Sequence, residues 1–326
     1  MNKKIFLIAE IGNNHEGNFK NAKKLVYNAY LAGADAVKFQ IFKTDLFVSR
    51  KNTKSYKKFK KFELSHDLFL KLKRYAKSLG LIFFGSAFDA ESLKFLKKQS
   101  SLIKVASSEN DNMNMICDIL SSGKKCILST GFLKFSEVKK LVNHLNKKFG
   151  KIFVRKKLSL LHCVSSYPAE KNDLNLSVIK EYKKQFNLKV GYSDHSMGTK
   201  ACELAVYQGA EIIEKHFTLS KNFSEFRDHQ LSSDLKDLKN LRKNLESAKI
   251  MLGKKKKIIT FNEEKNLKAC RRSYYLKRKV TKGEKIYLND LVLLRPLITN
   301  SANLNNIKNY LGKKYRKDFN KDEVLK

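Results

Sequence analysis

Tryptophan is absent from the 326-residue chain, and proline occurs only at Pro168 and Pro296. Cysteine is sparse too: Cys117, Cys126, Cys163, Cys202 and Cys270 are scattered, odd in number and never spaced C-x-x-C. That pattern excludes a disulfide framework and a zinc knuckle, and it points to a reducing, cytoplasmic setting. No apolar run approaches the ~18 residues of a membrane span, and Glu10 cuts the first run too short for a signal peptide. Acidic residues are in short supply: 31 Asp and Glu against 68 Lys and Arg leave a formal charge of +37. Such a balance invites a nucleic-acid reading, yet 42% hydrophobic content excludes a disordered basic tail. The positive charge is mostly lysine dispersed from Lys3 to Lys326, not arginine and aromatics gathered on one face. We therefore expect a solvated basic surface that favours acidic small molecules, with no nucleic-acid or membrane partner. A lysine-rich, proline-poor composition also follows from biased codon usage.

What is present is alternation. At about 150 residues per domain the length allows two, although one α/β barrel can fill ~250. Phe19, Ala22, Leu25, Val26, Ala29 and Tyr30 recur at helical spacing. So do Phe69, Leu72, Tyr75 and Leu79 ahead of a stop at Gly80, and Val138, Leu141, Val142, Leu145 and Phe149. Between such stretches, short apolar runs predict strands near residues 5–9, 36–39, 81–84, 102–106, 126–129, 158–163, 189–192 and 212–216. A long helix near 233–251 closes the series. Eight strand–helix units are what a closed (β/α)8 TIM barrel requires. No G-x-G-x-x-G follows any strand to favour an open doubly wound sheet. Gly33-Ala34-Asp35 and Gly209-Ala210-Glu211 each precede a strand, a short echo that fits a repeated unit. The barrel is thus expected over residues 1–255. Lys254 to Lys257 is a charge run, 256–271 reads as a linker, and 272–326 reads as a small β-rich domain with short strands near 273–276, 285–287 and 292–294. A module of about 55 residues is near the lower limit for folding alone, so it should dock on something.

The polar residues fall where a barrel keeps its chemistry, at the C-terminal ends of strands. In strand order these are Glu10; Lys38 and Gln40; Ser86; Ser107 and Glu109; Ser129; Tyr167; Ser193, Asp194 and His195; and Glu214, Lys215 and His216. Lys38 and Lys104 interrupt otherwise apolar strands, and a buried ammonium is costly without an anionic partner. Two lysines and several hydroxyls converging on one mouth read as a phosphate or carboxylate site. His195 and His216, on adjacent strands, could share a divalent metal and leave positions open for substrate and water. Glu10 and Glu109 are candidate proton carriers beside them.

These residues sit in recognisable stretches: Ala9-Glu-Ile-Gly-Asn-Asn-His-Glu-Gly17, Val37-Lys-Phe-Gln40, Lys104-Val-Ala-Ser-Ser-Glu109, Ile127-Leu-Ser-Thr-Gly131, Leu161-His-Cys163, Tyr167-Pro168, Tyr192-Ser-Asp-His195 and Glu214-Lys-His-Phe217. With them the chain resembles the N-acetylneuraminate (sialic acid) synthase family, legionaminate and pseudaminate synthases included. Its tail, with Arg271-Arg-Ser273, Arg295-Pro296 and Gly312-Lys-Lys314, looks like that family's antifreeze-like (SAF, β-clip) domain. The resemblance implies condensation of phosphoenolpyruvate with an acyl-amino hexose, giving a nine-carbon 2-keto-3-deoxy acid and phosphate. By similarity, His195 and His216 would hold the metal, manganese first, with magnesium or cobalt as alternatives. Lys38, Ser86, Lys104, Ser107, Ser129, Ser165 and Ser193 would bind phosphoenolpyruvate, and Glu10, Glu109 and His216 would be catalytic. Gln40, Tyr167, Asp228 and Arg295 would contact the sugar, Arg295 from the neighbouring subunit's tail, which implies a domain-swapped homodimer.

Several positions depart from the family pattern. Gly85-Ser-Ala-Phe88 stands for Ser-Thr-Pro-Phe, Ser165 replaces a common asparagine, Ser224-Glu-Phe-Arg-Asp-His229 replaces a Pro-Gly-Pro-Asp loop, and Leu297 follows Arg295-Pro296 in place of glycine. The differences at Ser165, Arg227 and Leu297 fall near the expected sugar pocket. The acceptor is therefore open between N-acetylmannosamine and a 2,4-diacetamido hexose, with a phosphorylated aldose as a further alternative.

Overall fold

The structure, a computed structural model, describes residues 4–253 and 256–326. It contains two compact units, Met1–Gly253 and Lys254–Lys326. In the first, eight parallel strands close into a barrel: β1 (Phe6–Gly12), β2 (Ala36–Ile41), β3 (Ile82–Ala87), β4 (Leu102–Val105), β5 (Lys125–Ser129), β6 (Leu158–Cys163), β7 (Lys189–Asp194) and β8 (Ile212–His216). β8 pairs with β1 from Phe6↔Ile212 to Glu10↔His216, which completes the ring.

Successive strand residues face opposite sides. Outward, Leu7, Ala9 and Ile11 of β1 and Val37 and Phe39 of β2 join the buried layer beneath the helices. Inward, Ile8, Ala36, Phe84, Ile127, Leu161 and Ile212 plug the barrel low down. Two residues further along the same faces stand Glu10, Lys38, Ser86, Ser129, Cys163 and Glu214. Strand register therefore raises a polar layer directly above an apolar plug. β1, β3 and β7 run two to three residues past the ends that hydropathy suggests. The reason is that Glu10, Ser86 and Ser193 face this interior, not solvent.

Each covering helix buries one stripe: Ala22, Leu25, Val26 and Ala29 in Phe19–Leu31, and Phe69, Leu72 and Ala76 in His66–Ser78. The closing helix runs Leu235–Leu252, N-capped by the Asp234 carboxylate on the Asp237 amide. Helices not anticipated in the barrel include Thr44–Phe47, Thr53–Phe62 and Lys151–Lys157. The first is only four residues long, and lysines mask the apolar period of the other two. Behind the barrel wall, Lys215 is wholly buried, 2.9 Å from Asp194 Oδ2 and 2.5 Å from the Ser196 carbonyl. Asp194 also accepts from the Ser196 amide and the Tyr192 hydroxyl, so the pair fastens the turn that carries His195.

The second unit holds β9 (Ser273–Leu276) antiparallel to β10 (Leu291–Leu294). Its core is Tyr274, Leu276, Val280, Ile286, Leu291, Ala302, Tyr315, Phe319 and Leu325. Within residues 256–271, read as a linker, Thr260 and Glu263 form a capping box that starts an exposed helix, Phe261–Cys270. One expectation is corrected. Residues 285–287 are not a strand; they make one bridge, Lys285↔Lys314, to an irregular return segment. Lys254 and Lys255 of the charge run, and Met1 to Lys3, lie outside the described residues. Among the described residues no helix is long and apolar enough to cross a membrane.

Candidate active site

The polar layer floors a cavity of about 260 Å³ at the C-terminal mouth of the barrel. Lys38 and Lys104 are 3% and 2% exposed, and unpaired ammonium groups there would each cost several kcal/mol. Lys38 Nζ lies 3.0 Å from Glu10 and 3.6 Å from Glu214, and Lys104 Nζ lies 3.5 Å from Glu214 and donates to Ser129 Oγ at 2.6 Å. The Ser193 hydroxyl donates to Glu214 at 2.8 Å. Burial pushes Glu214 up, but Lys104 and Lys38 outweigh it and hold that carboxylate well below its ordinary value. For Glu10 burial wins over Lys38, and its pKa rises. Burial lowers both lysines; two carboxylates reverse the effect at Lys38, whereas at Lys104 the pull of Glu214, opposed by Lys38 and helped little by Cys163 and Glu10, does not. Lys104 is therefore the cation on this floor with charge left to neutralise.

Above the floor, Ser107 and Ser165 both close in on Gly131. A Cβ on Gly131 would stand 2.1 Å from Ser165 Oγ and 2.6 Å from Ser107 Oγ, so only glycine lets these hydroxyls converge. Asn110 Nδ2 bonds the Ser129 and Gly131 carbonyls at 3.0 and 2.7 Å and fixes that strand end.

His195 and His216 face each other with ring centroids 5.2 Å apart. His195 Nδ1 is 2.8 Å from the Val164 carbonyl; a carbonyl only accepts, so the proton sits on Nδ1 and the lone pair on Nε2. Burial, then His195 and nearby lysines, hold His216 well below the ordinary imidazole pKa. Its Nδ1 is buried without a hydrogen-bond partner, as is Asp228 Oδ1, and Asp228 Oδ2 lies 3.9 Å from that Nδ1. Among the described residues no three His, Cys, Asp or Glu side chains form a metal cluster. Two facing imidazoles, His216 held neutral and His195 with its ring set by a carbonyl, could still hold a metal that completes its coordination with substrate and water.

Around the rim, Asn13 Nδ2 donates to Gln40 Oε1 at 2.6 Å. Tyr167 stacks on His195 at 4.2 Å, and the Arg227 guanidinium covers the Tyr167 ring at 4.7 Å. Phe47, Phe59, Phe88 and Phe226 form one wall. The cavity thus brings together Glu10, Lys38, Gln40, Lys104, Ser107, Ser129, Ser165, Tyr167, Ser193, His195, His216 and Asp228. Ser86 is fully buried beside Gln40 and Lys104 in register, its hydroxyl unpartnered, and it does not border the cavity. Glu109 ends the 3₁₀ turn Ser107–Glu109, which presents Ser107 and Ser108 to the cavity and leaves the glutamate off it. Arg295 lies exposed in the second unit, one residue past β10. Sequence reasoning put Glu214 at the mouth but gave it no role, though it stands two residues from His216 on the same face, and it missed Asn13 and the aromatic wall.

A closed (β/α)8 barrel with buried lysines and facing imidazoles at its C-terminal mouth has the build of a TIM-barrel enzyme, with its polar groups where such enzymes keep their chemistry. The chain belongs to the NeuB family, whose model matches residues 25–257, and a SAF domain model matches residues 271–326. It is 37% identical to the N,N'-diacetyllegionaminic acid synthase of Legionella pneumophila over 305 residues, covering 89% of this chain and 85% of that protein. The Campylobacter jejuni enzyme of the same name is 35% identical, covering 99% of each. Among solved structures, the N-acetylneuraminic acid (sialic acid) synthetase of Leptospira borgpetersenii, in complex with citrate, is 34% identical with a TM-score of 0.75, over 81% of this chain and 90% of that one.

Proposed function

We propose that the protein condenses phosphoenolpyruvate with an N-acyl amino hexose, N-acetylmannosamine in the first instance, to a nine-carbon 2-keto-3-deoxy acid and phosphate. Lys104 carries the reading: a buried ammonium against one shared carboxylate leaves charge that an arriving carboxylate or phosphate would neutralise. Lys38 and the hydroxyls of Ser107, Ser129, Ser165 and Ser193 would complete the anion's hold. The enol carbon then attacks the open-chain aldehyde, water adds to the cationic carbon left behind, and C–O cleavage releases phosphate. Glu10, whose proton burial retains, is the proton carrier within reach of the floor. His195 and His216 would hold a divalent metal, manganese before magnesium or cobalt, which when bound supplies Lewis-acid polarisation of the aldehyde. Gln40, Tyr167 and Asp228 would orient the sugar. Arg295 would reach it from the neighbouring subunit of a domain-swapped homodimer.

A second acceptor, a 2,4-diacetamido hexose, is favoured by one observation. Phe47, Phe59, Phe88 and Phe226 give the rim an apolar wall, which suits an added acyl methyl better than a bare hydroxyl. Two relatives bearing a diacetyllegionaminic acid synthase name point the same way. The deciding test is phosphate release from phosphoenolpyruvate with manganese, against N-acetylmannosamine, its 6-phosphate and diacetamido hexoses. Release with a free amino sugar, abolished by chelation, is expected. Release only with the 6-phosphate, or undiminished after chelation, would overturn the acceptor class or the metal role respectively.

A further inference from the structure

We infer that Glu16 and His229 form a clasp that positions Arg227 and Asp228 at the cavity rim, and so governs how the acceptor is held; the inference rests on the function proposed above. Both lie in stretches that stand out in the sequence, the Asn-His-Glu-Gly run after β1 and the Ser224–His229 loop, yet neither borders the cavity. They act through their neighbours.

Arg227 and Asp228 belong to the connection after β8, whose regular structure before Leu235 is one four-residue helix, Asp228–Leu231. No strand ladder holds such a segment, so side chains must. His229 is 1% exposed; its Nε2 lies 3.3 Å from Glu16 Oε1 and its Nδ1 2.6 Å from Thr218 Oγ1. A carboxylate can only accept, so Nε2 carries the proton toward Glu16, while Nδ1 pairs with the Thr218 hydroxyl, which itself donates to the Ser220 carbonyl at 2.9 Å. Ser224 donates to the same Glu16 oxygen and accepts from the Phe226 amide at 3.1 Å. Alongside, Asn14 Nδ2 reaches the Phe217 carbonyl at 2.9 Å and Ser232 Oγ at 3.0 Å, and Ser232 donates to the Asp228 carbonyl at 2.5 Å.

The other flank of the clasp is the helix Thr53–Phe62. Glu16 Oε2 is 3.6 Å from Lys61 Nζ. Gly17, at φ +77, is packed so that a Cβ would stand 1.9 Å from the Lys61 carbonyl oxygen. The Phe62 and Phe226 rings meet at 5.2 Å. The turn after β1 is therefore wedged between the helix that brings Lys58 and Phe59 to the cavity and the loop that brings Phe226, Arg227 and Asp228. Glu16 itself sits at φ +50, a left-handed conformation that L side chains avoid unless their surroundings hold them there. Its three side-chain partners, Ser224, His229 and Lys61, supply that hold.

The test uses the full chain with Glu16→Ala and Glu16→Gln. Glu16→Ala is expected to raise the acceptor KM roughly tenfold while the phosphoenolpyruvate KM stays within about twofold. Glu16→Gln, whose amide oxygen still accepts from His229 and Ser224, should restore most of the loss. Amide hydrogen exchange reads the clasp without turnover. Thr218, His229 and Ser233, whose amides bond the Ser233, Phe226 and His216 carbonyls, should exchange about tenfold faster in Glu16→Ala, with β4 and β5 unchanged. Both KM values rising together, or faster exchange across the whole barrel, would make Glu16 general structural support and overturn the inference. Unchanged exchange would overturn it as well. Should the wild type release no phosphate with any acceptor, the reaction reading fails, and the exchange contrast still decides the clasp.

Discussion

On the cavity floor, Glu10, Lys38, Lys104 and Glu214 come from four different strands, and each lies within 3.6 Å of an opposite charge. On the rim, Lys58 and Arg227 come from a helix and a loop and rest over aromatic rings, Lys58 at 5.1 and 5.6 Å and Arg227 at 4.7 Å. The floor is set by strand register: a slip of one residue would turn Lys38 out and Val37 in. The rim can change shape without disturbing a single strand pair. On the proposed function, reaction and acceptor choice would fall in separable parts of one cavity, the first on rigid strands and the second largely on connecting segments.

The largest effect should come from the floor. Lys104→Met removes the cation with charge to spare, so the phosphoenolpyruvate KM should rise on the order of a hundredfold or more, with the acceptor KM nearly unchanged. It also leaves Glu214 with one lysine fewer, which should lower the melting temperature by several degrees. Steady-state kinetics with each substrate varied in turn checks both arms. An unaltered phosphoenolpyruvate KM would remove Lys104 from the anion site and erase the division between floor and rim.

The same division explains what was legible in the sequence. Lys38 and Lys104 stand out because a charge inside an apolar run demands a partner, and strand periodicity predicts which face it takes. Glu214 obeyed the same rule, but its role was hidden by Lys215. That residue points outward and is nevertheless buried against Asp194, so Glu-Lys-His reads as three polar residues with no alternation. Glu109 looked equivalent to Ser107 until the 3₁₀ turn rotated it off the cavity. The rim could not be read. Phe59 and Phe62 lie among lysines, and their nearness to Phe226 depends on a segment more than 160 residues away in sequence folding over the same mouth. The capping box at Thr260 was readable, and it was overlooked because the surrounding charge suggested a linker.

A middle-sized effect should separate the two glutamates of the floor. Burial raises Glu10 from 4.5 to about 7, so between those values the native state holds a proton that the unfolded chain has released. Stability owed to that proton is complete below pH 4.5 and is lost as pH climbs toward 7. Glu10→Gln has no proton to lose. Relative to wild type it should therefore gain on the order of 2 kcal/mol from pH 4.5 to 7.5, a few degrees in melting temperature. Thermal melts of both proteins across that range provide the check. A gap that stays flat with pH would mean that Lys38 holds Glu10 ionised throughout, and the floor would then lack its proton carrier.

The smallest effect belongs to the rim, and it is the sharpest test of separability. Phe226 packs on Phe62 at 5.2 Å and borders the cavity, with no contact to the lysine–carboxylate floor among its ring and hydrogen-bond partners. Phe226→Ala should therefore leave the phosphoenolpyruvate KM within about twofold. Because a lost apolar contact to one acyl methyl is worth about 1–2 kcal/mol, kcat/KM for a 2,4-diacetamido hexose should fall roughly tenfold. The value for N-acetylmannosamine, which lacks that second acyl group, should hardly move. The ratio of the two specificity constants is the informative quantity, since any general loosening of the loop lowers both and cancels. A ratio unchanged by the substitution would mean that the aromatic wall packs the protein without reading the acceptor. Acceptor choice would then have to lie with the polar side chains of the rim, Gln40, Tyr167 and Asp228.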